Sequence, residues 1–215
     1  MKLSKRLKCI ADMIPSESKV IDVGCDHGYL SIYLSLNKEC KCIAADINKN
    51  ALNSAEINIK KYDVDNIELK LTDGLNGIDI SIDDYIVIAG MGTSTIVKIL
   101  ANKVLSNNLI ISSNNQLFEL RQFVTKLGYI IKDEKFIEEN NKKYVIINFE
   151  KGKKIYTKLD LVYGPIVRYN IDYLNYELEK LNSISLKITD SSDLVKKENE
   201  EKKLILLELI KKLEK

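Results

Sequence analysis

Three carboxylates stand at the ends of three successive apolar runs: Asp22 within Lys19 to Val23, Asp46 after Cys42 to Ala45, and Asp73 just past Ile67 to Leu71. A carboxylate accepts two hydrogen bonds at once, so an acid about 20 residues beyond a first glycine loop suits the paired hydroxyls of a ribose. Asp46 has that placement. An acid closing the third run can accept from the exocyclic amine of an adenine, and Gly74 beside it would let a ring approach the backbone. Asp-Gly is also an ordinary turn pair, but three acids at three successive run ends are harder to ascribe to chance than any one.

The loop after the first run narrows the ligand. A dinucleotide fingerprint needs glycine at its first, third and sixth positions so that backbone can touch a pyrophosphate. Counting from Gly24, the third position is Asp26 and the sixth Tyr29. A carboxylate there repels phosphate, which disfavours NAD and ATP, and it attracts a cation such as the sulfonium of S-adenosylmethionine. A strand-turn-helix corner without a ligand would have the same outline. Gly90-Met91-Gly92, after the fourth run, reads either as a close approach of ligand with Met91 as an apolar shelf or as a tight packing corner.

The elements that must carry these residues follow from periodicity. Leu3, Leu7, Ile10, Ala11 and Ile14 recur at helical spacing, which predicts an amphipathic helix over Ser4 to Ile14 that exposes Lys5, Arg6 and Lys8. A solvated face is one reading of these cations and an RNA-backbone contact the other. Strands are expected at 19–23, 42–46, 67–71, 85–89 and 109–111, separated by helices over 30–36, 50–62, 93–100 and 117–127. Runs 129–131 and 144–149, flanking the polar turn Asn140-Asn141, read as a closing antiparallel pair. Beyond Lys151, Pro165 is placed to start a helix, Ile171, Leu174, Leu178 and Leu181 follow coiled-coil spacing, and Leu206, Ile210 and Leu213 repeat it. Thr189 to Asp193 is expected to supply the loop and a cap between the two helices. The expected organisation is an α/β, doubly wound domain over 1–152 and an antiparallel helical coiled-coil hairpin over 153–215.

Composition sets wider bounds. The chain has 215 residues, 45% of them hydrophobic, and 33 basic against 31 acidic residues, so a nucleic-acid surface would have to come from clustering rather than overall charge. Cys9, Cys25, Cys40 and Cys42 form no CxxC pair and His27 is the single histidine, which argues against zinc and for buried thiols in a reducing cytosol. Asp12 and Pro15 interrupt the apolar residues of the basic amino terminus, and no span approaches the ~20 apolar residues that cross a bilayer. A soluble cytoplasmic protein without membrane or metal partners is expected.

The run Asp22-Val23-Gly24-Cys25-Asp26-His27-Gly28-Tyr29-Leu30, with Leu3-Ser4-Lys5-Arg6-Leu7 before it, Asp73-Gly74-Leu75 and Ala89-Gly90-Met91-Gly92 after it, and Tyr163-Gly164-Pro165 in the tail, resembles the bacterial tRNA (adenine-22-N1)-methyltransferase family over nearly the whole chain. The resemblance implies a Rossmann-like class I methyltransferase domain with a carboxy-terminal coiled-coil hairpin, S-adenosylmethionine as cofactor, and N1 of one tRNA adenine as acceptor, in a protein expected to be a monomer. It further implies that Asp22, Gly24, Cys25, His27, Gly28, Asp46, Ile47, Asp73, Gly74, Gly90, Met91 and Gly92 line the cofactor. His27 reads equally as a cap for the helix that follows. Asp26 is expected to accept from the adenine N6 amine and Tyr29 to position the unstacked base, with Lys5, Arg6 and Asn114 on the RNA. Two positions depart from the family pattern: Thr93 stands where Gly-Met-Gly-Gly has its last glycine, and Ser112-Ser113-Asn114 stands where Gln-Pro-Asn is usual. A methyltransferase of the same fold acting on a small molecule or protein, and a non-catalytic RNA-binding protein, are the alternatives.

Overall fold

A computed structural model describes residues 1–101, 103, 105–187 and 193–214. Its strands β1 (Lys19–Val23), β2 (Lys41–Asp46), β3 (Ile67–Leu71), β4 (Tyr85–Met91), β5 (Asn108–Ser113), β6 (Tyr129–Glu139) and β7 (Lys142–Lys151) form one sheet in the order β3-β2-β1-β4-β5-β7-β6. The first five run parallel, and β7 joins β5 antiparallel with β6 outside it. The reason lies in the connections. Helices α2 (Tyr29–Lys38), α3 (Lys49–Tyr62), α4 (Thr93–Leu100) and α5 (Leu117–Lys126) provide crossover length after β1, β2, β4 and β5, whereas β6 and β7 are joined by Asn140 and Asn141, both left-handed at φ 50° and 59°. Two positive φ values in a two-residue loop fit the twist of a hairpin, and asparagine tolerates them.

The chain lays β2 and β3 on one side of β1 and then returns to lay β4 on the other. That reversal opens a crevice at the carboxyl ends of β1 and β4, the usual ligand position in open α/β sheets. Around it the central strands are apolar throughout: Val20, Ile21, Ile86, Val87, Ile88, Leu109, Ile110 and Ile111 are buried. Helix α1 (Lys5–Asp12) begins where the Ser4 hydroxyl accepts from the Leu7 N–H, and with the turn after it packs Leu7, Ile10 and Ile14 into a core with Val20, Leu34, Val87 and Ile146. Cys40 and Cys42 belong to this core, and burial raises the thiol pKa of all four cysteines.

The chain divides into compact units Met1–Val162 and Tyr163–Lys215, ten residues later than the boundary expected at 152/153. The physical reason is a set of contacts beyond Lys151. The Tyr156 hydroxyl accepts from the Ile131 N–H at 2.7 Å, and a short helix α6 (Lys158–Tyr163) follows, opened by a reciprocal box in which Thr157 Oγ1 accepts from the Asp160 N–H and Asp160 Oδ2 from the Thr157 N–H. The carbonyls of Leu161 and Val162 then accept from Nη1 of Arg121, at 3.1 Å each. Arg121 is fully buried and its Nε donates to Glu134 Oε1 at 2.8 Å.

In the second unit Pro165 starts no α-helix. A 3-10 turn, Val167–Tyr169, intervenes, and α7 (Ile171–Lys187) begins where Asn170 Oδ1 accepts from the Tyr173 N–H. Helices α7 and α8 (Asp193–Leu213) pack on one another, with Leu174, Leu206 and Ile210 buried as the spacing predicts. Asn199 is buried among them, its amide donating to the Leu181 carbonyl and the Ser185 hydroxyl. The loop and cap expected at Thr189 to Ser192 lie outside the described residues.

Candidate active site

The registers bring the expected acids to one edge. Val23 is level with Ala45 on β2 and Ile88 on β4, and Asp46 is level with Leu71 on β3, two residues before Asp73. The loop that leaves β1 is pinned inward: the N–H groups of Gly24 and Cys25 donate to the Ala45 carbonyl at 2.8 and 3.1 Å, that of Asp26 to Asp46 Oδ2 at 3.2 Å, and that of Gly28 to the Cys25 carbonyl at 2.8 Å. A pyrophosphate loop presents such groups to its ligand; here they are spent on the fold. Asp46 also accepts from the Asn48 N–H at 2.8 Å through Oδ1. With about four acceptor sites on a carboxylate, two remain for a diol.

Two glycines are explained by the opposite wall. Gly24 has φ +77° and a side chain there would collide with the methyl of Met91, so Met91 lies over the loop. Gly90 sits at a bulge in β4 with φ +88°, and a β-carbon there would come within 3.1 Å of the Arg6 guanidinium. Gly28 is crowded instead by Ala55 of α3, and Gly92 precedes α4 as its cap. Gly74 has a packing reason of its own: Ile99 of α4 fills the space a side chain would take.

Asp22 is buried beneath the loop and accepts from the Ser31 hydroxyl at 3.0 Å. Burial raises its carboxyl to about 6; the Ser31 bond opposes that rise, nearby Asp46 adds to it, and Arg6 opposes it. Since the folded protein holds this proton more tightly than the unfolded chain, ionisation of Asp22 costs stability. The cost is absent below about pH 4, grows as pH rises towards 6 and is complete above it, at roughly 1–3 kcal/mol. Asp22→Asn should therefore gain stability in urea unfolding at pH 8, gain about half as much at pH 5 and gain least at about pH 4; an equal gain throughout would show that ionisation is not the cause.

Asp26, His27 and Tyr29 line the outer lip. Asp26 has φ +51° and its side chain is 73% exposed, His27 Nε2 is 3.6 Å from Asp26 Oδ1, and the rings of His27 and Tyr29 are 5.7 Å apart. A cleft of about 80 Å³ between this lip and Ala89 is lined also by Asp22, Arg6 and Leu7. Ile47 and Asp73 are exposed farther along the edge. A larger groove of about 400 Å³ lies at the amino-terminal ends of β1 to β3, between Lys19, Lys41, Asp65 and Glu68. The smaller cleft brings Asp22 and Asp26 together with the glycine loop and is the candidate site, with Asp46 and Asp73 farther along the same edge.

The cations expected on RNA separate. Lys5 is exposed and Lys8 pairs with Asp12, whereas Arg6 turns into the cleft and stacks 5.0 Å from the Tyr144 ring centroid. Asn114 is drawn to the same corner, its amide donating to the Gly90 carbonyl at 2.8 Å and its N–H to the Met91 carbonyl at 3.0 Å. The two departures from the family pattern prove to be partners: the Thr93 hydroxyl lies 2.8 Å from that of Ser113 and donates to the Asn115 carbonyl at 2.7 Å. Ser31, Tyr144 and Asn115 were not legible as site residues, since each acts through a contact distant in sequence.

A doubly wound sheet with acids at its carboxyl edge, and a loop whose Gly24, Cys25, Asp26 and Gly28 amides are bonded within the fold, has the outline of a class I methyltransferase. The family model for the methyltransferase domain matches residues 3–147. Over 99% of this chain and 97% of its own, the Bacillus subtilis (strain 168) tRNA (adenine(22)-N(1))-methyltransferase is 31% identical. The structure of M. capricolum TrmK in complex with the natural cofactor product S-adenosyl-homocysteine superposes with a TM-score of 0.85 at 31% identity, covering 98% of this chain and 99% of that one. The B. subtilis M1A22 tRNA methyltransferase TrmK gives 0.84 at 29% identity, covering 97% and 99%. The chain belongs to the tRNA (adenine-22-N1)-methyltransferase family. No helix among the described residues is long and apolar enough to cross a membrane, and no group of three or more His, Cys, Asp or Glu among them is disposed to hold a metal.

Proposed function

We infer that this protein methylates N1 of adenine 22 in tRNA, acting as a monomer in the cytoplasm with S-adenosylmethionine as donor. The likeness to the B. subtilis enzyme over 99% of the chain, tail included, carries the reading. When bound, the cofactor supplies an electrophilic methyl group on a sulfonium. Asp46 is assigned the ribose hydroxyls, Asp73 the adenine amine and Asp22 the ammonium of the methionine half, with Met91 and Gly24 as the two walls between them.

Adenine N1 already carries a lone pair, so no base is needed before attack, and the ring becomes a cation. Asp26 accepts from the N6 amine and favours that positive charge. Tyr29 at the lip holds the unstacked base, whose extraction from folded RNA costs a few kcal/mol. Lys5, exposed on α1, is assigned a backbone contact. The test is transfer of labelled methyl to unmodified tRNA transcripts with reverse-transcription arrest as the readout. Arrest at adenine 22, absent from a transcript substituted there, is expected; transfer to protein or small molecules alone, or none despite cofactor binding, would overturn the reading.

A further inference from the structure

Two buried hydroxyls tie the loop after β4 to the loop after β5. Thr93 and Ser113 are 3% and 5% exposed, and their oxygens lie 2.8 Å apart. The Asn115 carbonyl is within reach of both, at 2.7 and 2.9 Å, and the Thr93 N–H donates to Asn115 Oδ1 at 3.0 Å. Neither the glycine nor the proline of the family pattern has a hydroxyl with which to make this contact. A proline would fix its own φ at about −65°; serine gives up that constraint, and the shared hydrogen bonds restore one. The chain then passes through Gln116 at φ +49°, a conformation that a side chain adopts only where its surroundings impose it.

Asn114 is the residue this clamp presents. It is exposed, its backbone N–H donates to the Met91 carbonyl at 3.0 Å, and its side-chain amide donates to the Gly90 carbonyl at 2.8 Å. Both bonds reach back to the β4 bulge, next to Ala89, which lines the cleft with Asp26 and Tyr29. A carbonyl can only accept, so the amide nitrogen of Asn114 is the atom that faces Gly90. Oδ1 faces away from it and has no partner among the described residues. That oxygen is an acceptor. Beside N1 of an adenine the donor is the N6 amine, whose two hydrogens serve two acceptors, and Asp26 is assigned one of them. We propose that Thr93 and Ser113 are positioning residues for the acceptor base: their contact sets the Asn114 carboxamide so that Oδ1 takes the second hydrogen of that amine and N1 is held in line with the methyl group.

The inference rests on the acceptor reading above and adds to it the two residues behind Asn114. Its test is the single-turnover rate of methyl transfer to tRNA at saturating cofactor, with S-adenosylhomocysteine affinity by calorimetry and the urea midpoint measured on the same variants. Thr93→Val removes the hydroxyl and keeps the shape and the N–H; it should slow transfer roughly 10-fold, and Ser113→Ala similarly, with cofactor affinity within about threefold. Thr93→Ser, which keeps the hydroxyl, should stay within about twofold of the unaltered rate. Asn114→Ala should slow transfer at least as much as Thr93→Val, and adding Thr93→Val to it should change the rate by less than about twofold, because residues that act through one contact are not additive. A Thr93→Val effect of equal size in both backgrounds, or unchanged rates with only the urea midpoint lowered, would overturn the proposal. Methyl transfer by the unaltered protein to a site other than adenine 22 would overturn the acceptor reading itself.

Discussion

Asp26→Asn should lower the single-turnover rate of methyl transfer on the order of 100-fold while S-adenosylhomocysteine affinity stays within about threefold. The substitution removes charge and little else. Asp26 holds φ +51°, a conformation that asparagine accepts and alanine resists by roughly 1 kcal/mol, so the asparagine variant keeps the N–H donated to Asp46. Its side chain can still accept from the N6 amine, but without the negative charge that favours a cation at N1. A rate within threefold of the unaltered enzyme would remove Asp26 from the chemistry. Loss of cofactor affinity instead would assign it to the loop.

Arg121→Ala should cost roughly 3–5 kcal/mol of stability, read as a lower urea midpoint and a fall in melting temperature of about 10 °C. The guanidinium is fully buried against a buried Glu134. Its removal takes the buried cation from that carboxylate and the donor from the last carbonyls of α6. The pair is itself imperfect, because Nη2 of Arg121 is buried without a hydrogen-bond partner among the described residues. The double replacement Arg121→Met with Glu134→Leu should accordingly recover most of the loss. A single-variant loss below about 1 kcal/mol would show that the site is better solvated than its burial implies.

The sheet was legible because its physics is local. Short β-branched runs ending in glycine or an acid gave the parallel strands, and Asn140-Asn141 gave the hairpin. Their inner ends are less local: β6 runs on to Glu139 because it is paired with β7 along its length. Helix α6 was missed although Thr157 and Asp160 spell a cap, and Pro165 misled because a proline that suits a first turn also suits a bend. Arg6 was assigned to the outside by periodicity, which measures direction from the helix's own apolar stripe; α1 ends its approach at the sheet edge, where a flanking position faces the crevice. Tyr144, 138 positions away, gave no sign of receiving it. Thr93 and Ser113 looked like two separate defects until the structure put their hydroxyls in contact.

The buried amide of Asn199 has a consequence for how the tail finds its alignment. Two helices lined with leucine can slide by a heptad and bury nearly the same hydrocarbon, so apolar area alone discriminates poorly among such pairings. In the native pairing the amide meets the Leu181 carbonyl and the Ser185 hydroxyl. A slip of seven residues along α7 would set it towards Leu174 and Leu178; the Leu174 carbonyl could replace that of Leu181, but Leu178 has no hydroxyl to replace Ser185, and one donor would go unmet at a cost of roughly 1–3 kcal/mol. One polar side chain thus turns a set of nearly degenerate zippers into a single ground state, trading tightness for uniqueness.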